Sequence, residues 1–505
     1  MNRKAGVILS YVLMVFEVFS TLLLTPFIIR TLGDAEYGVY KLSAAISAYL
    51  LLLDLGVGNS VVRFVAKYRT DNDNYQCRKF LGITTVYYAG IAAICLVAGF
   101  VLVWVFPKVF AKGLAQDEVK LGQILLAITT VNAAITLGVS GFKNTITAYE
   151  RFSVSRGVSI VSVILRIILV LTALSFGLGS IAIVTINTLL TLLSSAFFVA
   201  FVIKNLNLKP IFQLGNVQLL KEVVVYSSFI LLQMIATQIN ACLDSVLLGM
   251  FVTSASTIIA VYSVGQQITQ YFQTIGTSVT SVLMPGVVRM VENDAAPTEL
   301  CKEMIRIGRL IFMVLGLIWD GFLVCGRSFI ALWVGDSKMD AYWVALLLMA
   351  VYMFVLTESI GTQILWAKNE HREQSLLKLA IVLINIILTI VLIKWNPLYG
   401  ATIGTAISIF LGDVVVMNYI FAKKIKISLL RYYTGLCKGI VPCLIAVTII
   451  GYLFSLLKLS GWIGLAANIV AMVVAYGFCM LKFGMNQYEK ALLLGLVIKG
   501  KLGRK

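Results

Sequence analysis

The chain has 505 residues, of which 60% are hydrophobic and only 13% charged, with a mean hydropathy of +0.96 and a formal net charge of +18. A soluble domain averages about 45–50% apolar and about 25% charged residues, so this composition excludes an ordinary soluble protein and asks for a bilayer. The basic excess in such a chain first reports topology, and it gives no ground for a nucleic-acid partner.

From the N-terminus, Asn2-Arg3-Lys4 precedes an apolar run from Ala5 to Ile29. The run is too long for a signal-peptide core and no small-residue cleavage site follows, so it is expected to stay as the first span. A spanning helix needs about 20 mostly apolar residues. On that scale about fourteen spans are expected: 7–29, 38–66, 80–106, 121–146, 155–176, 180–203, 224–250, 258–288, 305–326, 341–367, 376–394, 399–422, 439–457 and 462–482. The tail from Asn486 to Lys505 holds one short apolar run, Ala491 to Ile498, which reads as an interfacial segment.

Placing the N-terminus in the cytoplasm puts 31 of the 41 Lys and Arg on the cytoplasmic side and nine outside, with Arg166 in mid-span. The bias alternates loop by loop, which supports the span count, the orientation and two cytoplasmic ends together. The chain also carries a faint repeat. Tyr37-Gly-Val-Tyr and Ile259-Ala-Val-Tyr, Gly179 and Gly400, and Ala148-Tyr-Glu-Arg and Ala367-Lys-Asn-Glu-His-Arg share an offset near 220 residues. Six spans per repeat make it parallel, an arrangement found in transporters. The expected organisation is a bundle of spans 1–6 (residues 1–204), a cytoplasmic linker (205–223), a bundle of spans 7–12 (224–425), and two further spans with a basic tail (426–505).

Polar stripes mark two spans. Span 7 carries Gln233, Thr237, Asn240 and Asp244 at steps of four, three and four, which is one helical face. Span 8 repeats the spacing with Gln266, Gln270, Gln273 and Thr277. Such faces must meet protein or water, so they line a wet cavity or bond helix to helix. Ionisable residues fall inside spans at Glu17, Asp54, Arg166, Asp244, Asp320, Glu358 and Asp413. Each costs at least about 2.5 kcal/mol at the bilayer centre, so each faces a cavity, pairs, or relays ions. Arg30, Lys41, Arg63, Lys143 and Arg327 lie nearer span ends, where snorkelling to a headgroup competes with ligand binding. Pro26 and Pro285 fall late in spans 1 and 8 and are candidate hinges.

Several chemistries find no residues. There is no GxxxxGK[ST] phosphate loop. His371, in the polar stretch Lys368–Glu373, is the single histidine, so neither a Ser/His/Asp triad nor a zinc cluster can form around it. The eight cysteines contain no CxxC pair and read as small buried hydrophobes. No metal and no cofactor is expected.

Four stretches together resemble the bacterial polysaccharide repeat-unit flippases, of the O-antigen type. They are Pro26-Phe-Ile-Ile-Arg-Thr-Leu-Gly-Asp-Ala-Glu-Tyr-Gly-Val-Tyr, Leu51-Leu-Leu-Asp-Leu-Gly-Val-Gly-Asn with Arg63, Asp244 to Tyr262, and Tyr399-Gly-Ala-Thr-Ile-Gly-Thr-Ala. The resemblance implies the multidrug/oligosaccharidyl-lipid/polysaccharide exporter superfamily. It implies an all-α integral membrane fold of two six-helix bundles facing in a V, with two extra helices. The implied activity is transport and not enzymatic: flipping an undecaprenyl-pyrophosphate-linked oligosaccharide across the bacterial cytoplasmic membrane by alternating access. A polysaccharide polymerase and a chain-length regulator are the implied partners, beside membrane lipids.

Such a cargo assigns tasks to the candidates. A pyrophosphate wants Arg and Lys in a low-dielectric site, which points to Arg30, Arg63, Lys143, Arg166 and Arg327. Sugars want the amides Gln233, Asn240, Gln266, Gln270 and Gln273. Glu17, Asp54, Asp244 and Glu358 could bind a coupling H⁺ or Na⁺, or neutralise the basic groups. Three rivals remain. A multidrug cation antiporter of the same superfamily would need acidic rather than basic cavity residues. A flippase of another anionic lipid precursor would need the same chemistry. A membrane polymerase or glycosyltransferase usually carries a large outer loop, whereas the longest here is about residues 106–120.

Overall fold

The computed structural model describes residues 3–212, 217–368, 370, 372–457 and 461–492. His371 and most of the 491–498 run lie outside the described residues. All regular structure among the described residues is helical. It comprises α1 (Arg3–Leu50), α2 (Val57–Thr70), α3 (Asn74–Phe110), α4 (Gln116–Ala148), α5 (Phe152–Ser175), α6 (Ser180–Lys204), α7 (Val217–Phe251), α8 (Ala255–Glu292) and α9 (Pro297–Val334). There follow α10 (Ala341–Thr357), α11 (Ser359–Ala367), α12 (Arg372–Ile393), α13 (Pro397–Ile409), α14 (Met417–Ile420), α15 (Leu429–Cys437), α16 (Ile440–Ser455) and α17 (Gly461–Cys479). In a bilayer every backbone N–H and C=O must be satisfied within its own segment, which is why apolar spans fold this way.

Twelve helical stretches among the described residues are long and apolar enough to cross a membrane. The first, Leu9–Thr70, has 62 residues and is broken by the non-helical Gly33 (φ 74°, ψ 175°), so it supplies two crossings. α8 is long enough, at 38 residues, but its glutamines and threonines keep it outside the apolar set. Every one of the fourteen expected spans is helical. The chain is a multi-pass membrane protein.

In the interiors of those spans the structure departs from uninterrupted α-helix in three places, and spans 12 and 14 also end in π-turns, Phe421–Ile425 and Met480–Gly484. Span 2 breaks after a short 3₁₀ turn, Leu51–Asp54, where Leu55 (φ 53°) and Gly56 (φ 72°) both adopt the left-handed conformation. Two consecutive left-handed residues cannot continue an α-helix, so α2 starts afresh at Val57. Span 10 is interrupted at Glu358, between α10 and α11. Span 12 widens to a π-helix over Phe410–Val416, around Asp413. π-turns and helix breaks often mark functional positions. By contrast α1 stays helical through Pro26, and its non-helical residue is Gly33.

The chain divides into two compact units: residues 1–263 with 393–397, and 264–392 with 398–505. In the first, α4 is central and packs against α1, α2, α3, α5 and α6, while α7 lies on α1 and α2. Small residues permit the close approach: a Cβ at Gly122 would lie 2.5 Å from the Phe106 ring, and one at Gly99 2.1 Å from Thr130. In the second, α9 is central and touches α10, α11, α15, α16 and α17 around a core that includes Leu300, Ile307, Ile311, Leu315 and Phe421.

Candidate functional site

The first unit holds four of the five basic candidates, each on a different helix. Arg30 on α1, Arg63 on α2 and Lys143 on α4 are exposed. Arg166, in the middle of α5, is half-buried. α5 packs on α1, and one guanidinium nitrogen, Nη2, donates to Ser20 Oγ on α1 at 3.2 Å. Its Nε is buried with no hydrogen-bond partner, and among the described residues Arg166 forms no ion pair. Ser20 itself is fully buried, and Tyr40 is close enough to interact electrostatically with the guanidinium. Glu17, one turn before Ser20, is exposed. A guanidinium carries five donors, and holding one at mid-span with donors unfilled is costly unless something anionic or polar visits it.

Asp54 sits at the break in span 2. Tyr88 on α3 donates to its Oδ1 at 2.8 Å, and the Gly58 N–H at the start of α2 donates to its side chain. Tyr88 is fully buried and is also hydrogen-bonded by Asn144 on α4. Gly58 leaves room for that amide, since a Cβ there would lie 2.6 Å from Asn144 Nδ2. The carboxylate therefore caps the restarted helix and is anchored by two neighbours. Its surroundings, Tyr88 and Asn144, were not among the sequence candidates; an Asp followed by Leu-Gly was the available signal.

Asp244 on α7 is 1% exposed and accepts a hydrogen bond from Tyr262 on α8. The stripe it belongs to does not share one environment. Thr237 is exposed, Asn240 half-buried and Asp244 buried, while the Gln233 side chain falls outside the described residues. On α8, Gln266 and Gln273 are half-buried and Gln270 and Thr277 exposed. α8 runs on as helix through Pro285, whose side chain falls outside the described residues.

At one end of the first unit, three turns meet through backbone. Gly38 abuts the turn between α7 and α8 so closely that a Cβ would lie 1.8 Å from the Ser256 carbonyl oxygen. Ala255 N–H donates to the Gly113 carbonyl at 2.9 Å, between α3 and α4. Ser256 Oγ donates to Glu118 Oε1 at 2.8 Å, and the other Glu118 oxygen accepts from Ala115 N–H at 2.9 Å. Glu36 Oε1 accepts from Ser180 N–H at 2.6 Å, capping α6. Two of the stretches that carry the sequence resemblance, Asp34-Ala-Glu-Tyr-Gly and Asp244–Tyr262, thus come together here. Sequence reasoning missed Glu36, Glu118 and Ser256 as contact residues, because nothing in their local pattern names a partner far along the chain.

In the second unit, Glu358 is 2% exposed. Its Oε1 accepts from Asn418 Nδ2 at 2.9 Å and from Tyr433 OH, while Oε2 is buried without a partner. The neighbouring Ser359 hydroxyl bonds Thr280 on α8 at 2.9 Å. Lys378 Nζ on α12 donates to Asp413 Oδ2 at 2.6 Å, so the π-turn carboxylate is neutralised by a helix neighbour. Arg327 is exposed and lies over the Tyr342 and Trp343 rings, 5.3 and 5.4 Å from their centroids. Stacking of this kind holds a guanidinium near a span end and leaves its edge donors available.

Comparisons with known proteins give a family and a fold. Residues 4–291 match the model of the polysaccharide biosynthesis protein family. No match is found among curated proteins. Among solved structures, the chain is similar to the lipid II flippase MurJ in an inward closed conformation, with a TM-score of 0.71 at 13% identity, over 98% of this chain and 99% of that one. It is also similar to multidrug resistance transporters of the MATE family, of the MOP superfamily. An inward-facing one matches with a TM-score of 0.63 at 14% identity (81% of this chain, 94% of that one). An outward-facing one matches with 0.57 at 12% (84% and 96%). At such identities the likeness is one of fold.

Proposed function

Because the chain belongs to the polysaccharide biosynthesis protein family, we propose that it flips undecaprenyl-pyrophosphate-linked oligosaccharide repeat units across the bacterial cytoplasmic membrane for surface polysaccharide export. The observation that carries this reading is Arg166: a mid-span guanidinium with one hydrogen bond to Ser20, a buried unpartnered Nε and no ion pair among the described residues. A pyrophosphate is the kind of group that a planar fork of donors in a low dielectric attracts. Arg30, Arg63 and Lys143, exposed on the same unit, and Arg327 add positive charge for the headgroup. Asn240, Gln266, Gln270 and Gln273, with Gln233, offer amides to the sugars.

Transport would proceed by alternating access between a bundle of residues 1–204 and one of 224–425, with both chain ends in the cytoplasm. On that orientation the contacts of Gly38, Gly113 and Glu118 with the α7–α8 turn lie on the outer side. Pro26 and Pro285 serve as hinges. Coupling to H⁺ or Na⁺ would use Glu17, Asp54, Asp244 or Glu358, of which Glu358 has an unpartnered oxygen. A polysaccharide polymerase and a chain-length regulator are the partners this role requires.

A second reading has a specific observation behind it. The end-to-end match to a lipid II flippase suits another anionic lipid precursor, whose pyrophosphate would meet the same arginines. A cation antiporter is disfavoured by a mid-span Arg, which repels its cargo.

The test is complementation of a strain lacking its own repeat-unit flippase, scored by surface polysaccharide, with Arg166→Ala alongside. Rescue by the wild type and loss in a well-expressed variant is the expected result. No rescue there, with rescue of a strain depleted of its peptidoglycan-precursor flippase, selects the second reading. Gained resistance to cationic drugs, with neither rescue, overturns both.

A further inference from the structure

The two helices that follow the second bundle, α16 and α17, meet α9 at three depths. Near the start of α9, Arg309 is 6% exposed and uses all five of its donors. Nε donates to Glu489 Oε1 at 2.6 Å and Nη2 to Glu489 Oε2 at 3.1 Å. Nη1 donates to the carbonyls of Gly435 and Lys438, at 3.0 and 2.7 Å, at the end of α15. Nη2 also donates to the Gly484 carbonyl at 2.8 Å, at the end of the π-turn that closes α17. One guanidinium thus fills the open carbonyls of two helix C-termini and pairs with a carboxylate beyond them.

Glu489 is set for this role by its own turn. Its Oε2 accepts from Asn486 N–H at 2.8 Å, and its N–H donates to Asn486 Oδ1 at 2.9 Å. Gly439 (φ 79°) admits the neighbouring backbone, since a Cβ there would lie 3.0 Å from the Phe483 carbonyl oxygen. Arg306, one turn before Arg309, stacks on Tyr488 at 3.9 Å. Farther along α9, Tyr476 on α17 donates to the Met313 carbonyl at 2.8 Å, and Thr448 on α16 donates to the buried Asp320 carboxylate. From Arg309 to Asp320 the three contacts cover about 16 Å of helix, more than half of a hydrocarbon core of about 30 Å.

We propose that α9, α15, α16, α17 and the segment 486–492 form one clamped body, with Arg309 as the clasp, so that the C-terminal helix pair does not slide along α9 during transport. Sliding would break bonds of three different kinds at three depths, and would leave Arg309 and Glu489 buried and uncompensated. Lysine cannot replace the clasp, because a single ammonium cannot reach two helix ends and a carboxylate together.

Hydrogen exchange on the full chain in lipid nanodiscs tests this without reference to any transport activity. In the wild type, amides in 430–438 and 485–492 should be as protected as those at the start of α9. Arg309→Met and Arg309→Lys should speed exchange in both segments together by about tenfold or more, and leave α3 and α4 unchanged. Unchanged protection in both variants, or free exchange of these segments in the wild type, overturns the proposal. If neither Arg309 variant folds, Glu489→Gln keeps the bonds to α15 and Gly484, and should loosen 486–492 alone.

A disulfide then asks about motion. A Cβ at Gly316 on α9 would lie 2.9 Å from a Leu444 methyl on α16, so Gly316→Cys/Leu444→Cys in a cysteine-free chain places two thiols on facing positions, and their oxidation is checked by gel shift before the readout. Surface polysaccharide should agree within about twofold between oxidised and reduced cells. Loss on oxidation, restored by reductant, would show that the helix pair must move against α9. Absence of rescue by the wild type as well speaks against the flippase reading and leaves the exchange result standing.

Discussion

Arg309 and Arg166 are both arginines withdrawn from water inside helices, and they differ in how far the protein satisfies them. Arg309 has every donor filled by two helix ends and a carboxylate. Arg166 has one hydrogen bond, to Ser20, and a buried Nε with none. A guanidinium whose needs are met by its own chain holds structure together. One left with spare donors at mid-span still has hydrogen bonds to offer a group that arrives from outside. The loop-by-loop charge count set Arg309 among the cytoplasmic basic residues and Arg166 at mid-span, and gave no sign that Arg309 is the one whose donors are all filled.

That contrast can be broken by mutation. Arg309→Met should cost about 3–5 kcal/mol of stability, because it strands Glu489 in a buried site. Thermal unfolding in detergent checks this, and a cost no larger than that of Arg166→Met would end the contrast. Gly38→Val drives a side chain into the Ser256 carbonyl and should cost about 1–3 kcal/mol by overpacking. The same melts would show it, with weaker rescue of surface polysaccharide.

Arg166→Ala should lower stability by no more than about 1 kcal/mol, the worth of one hydrogen bond. On the proposed function its effect should fall on transport, where a loss of about tenfold or more in flipping would correspond to about 1.4 kcal/mol or more of lost interaction with the cargo. An Arg166→Ala chain that melts early and still flips at full rate would assign Arg166 to packing. At the small end, Lys120→Ala removes an exposed pair with Asp117 at 4.0 Å and should leave both the melting temperature and rescue unchanged.

The two interrupted spans sharpen the lesson for carboxylates. Asp54 looked like Glu358 in the sequence, an acidic residue deep in an apolar run. In the structure Asp54 caps a helix that restarts after two left-handed residues, whereas Glu358 is buried against Asn418 and Tyr433 with an oxygen to spare. Gly56→Ala, which places a Cβ at φ 72°, should cost about 1–2 kcal/mol and disturb only the first break.

The sequence by itself determined the class of protein: apolar run length marks the helices long enough to cross a membrane, because it obeys the bilayer rather than the fold. It also marked most polar positions inside the spans, since each stands out against an apolar background. Tertiary structure alone decided what those positions do. Whether Arg166 keeps a free donor, whether Asp54 caps or binds, and which distant turns close on Gly38 all depend on residues tens to hundreds of positions away. Helical periodicity carries no information about such partners, because it describes one helix at a time. Satisfaction of a buried charge is a property of several helices together.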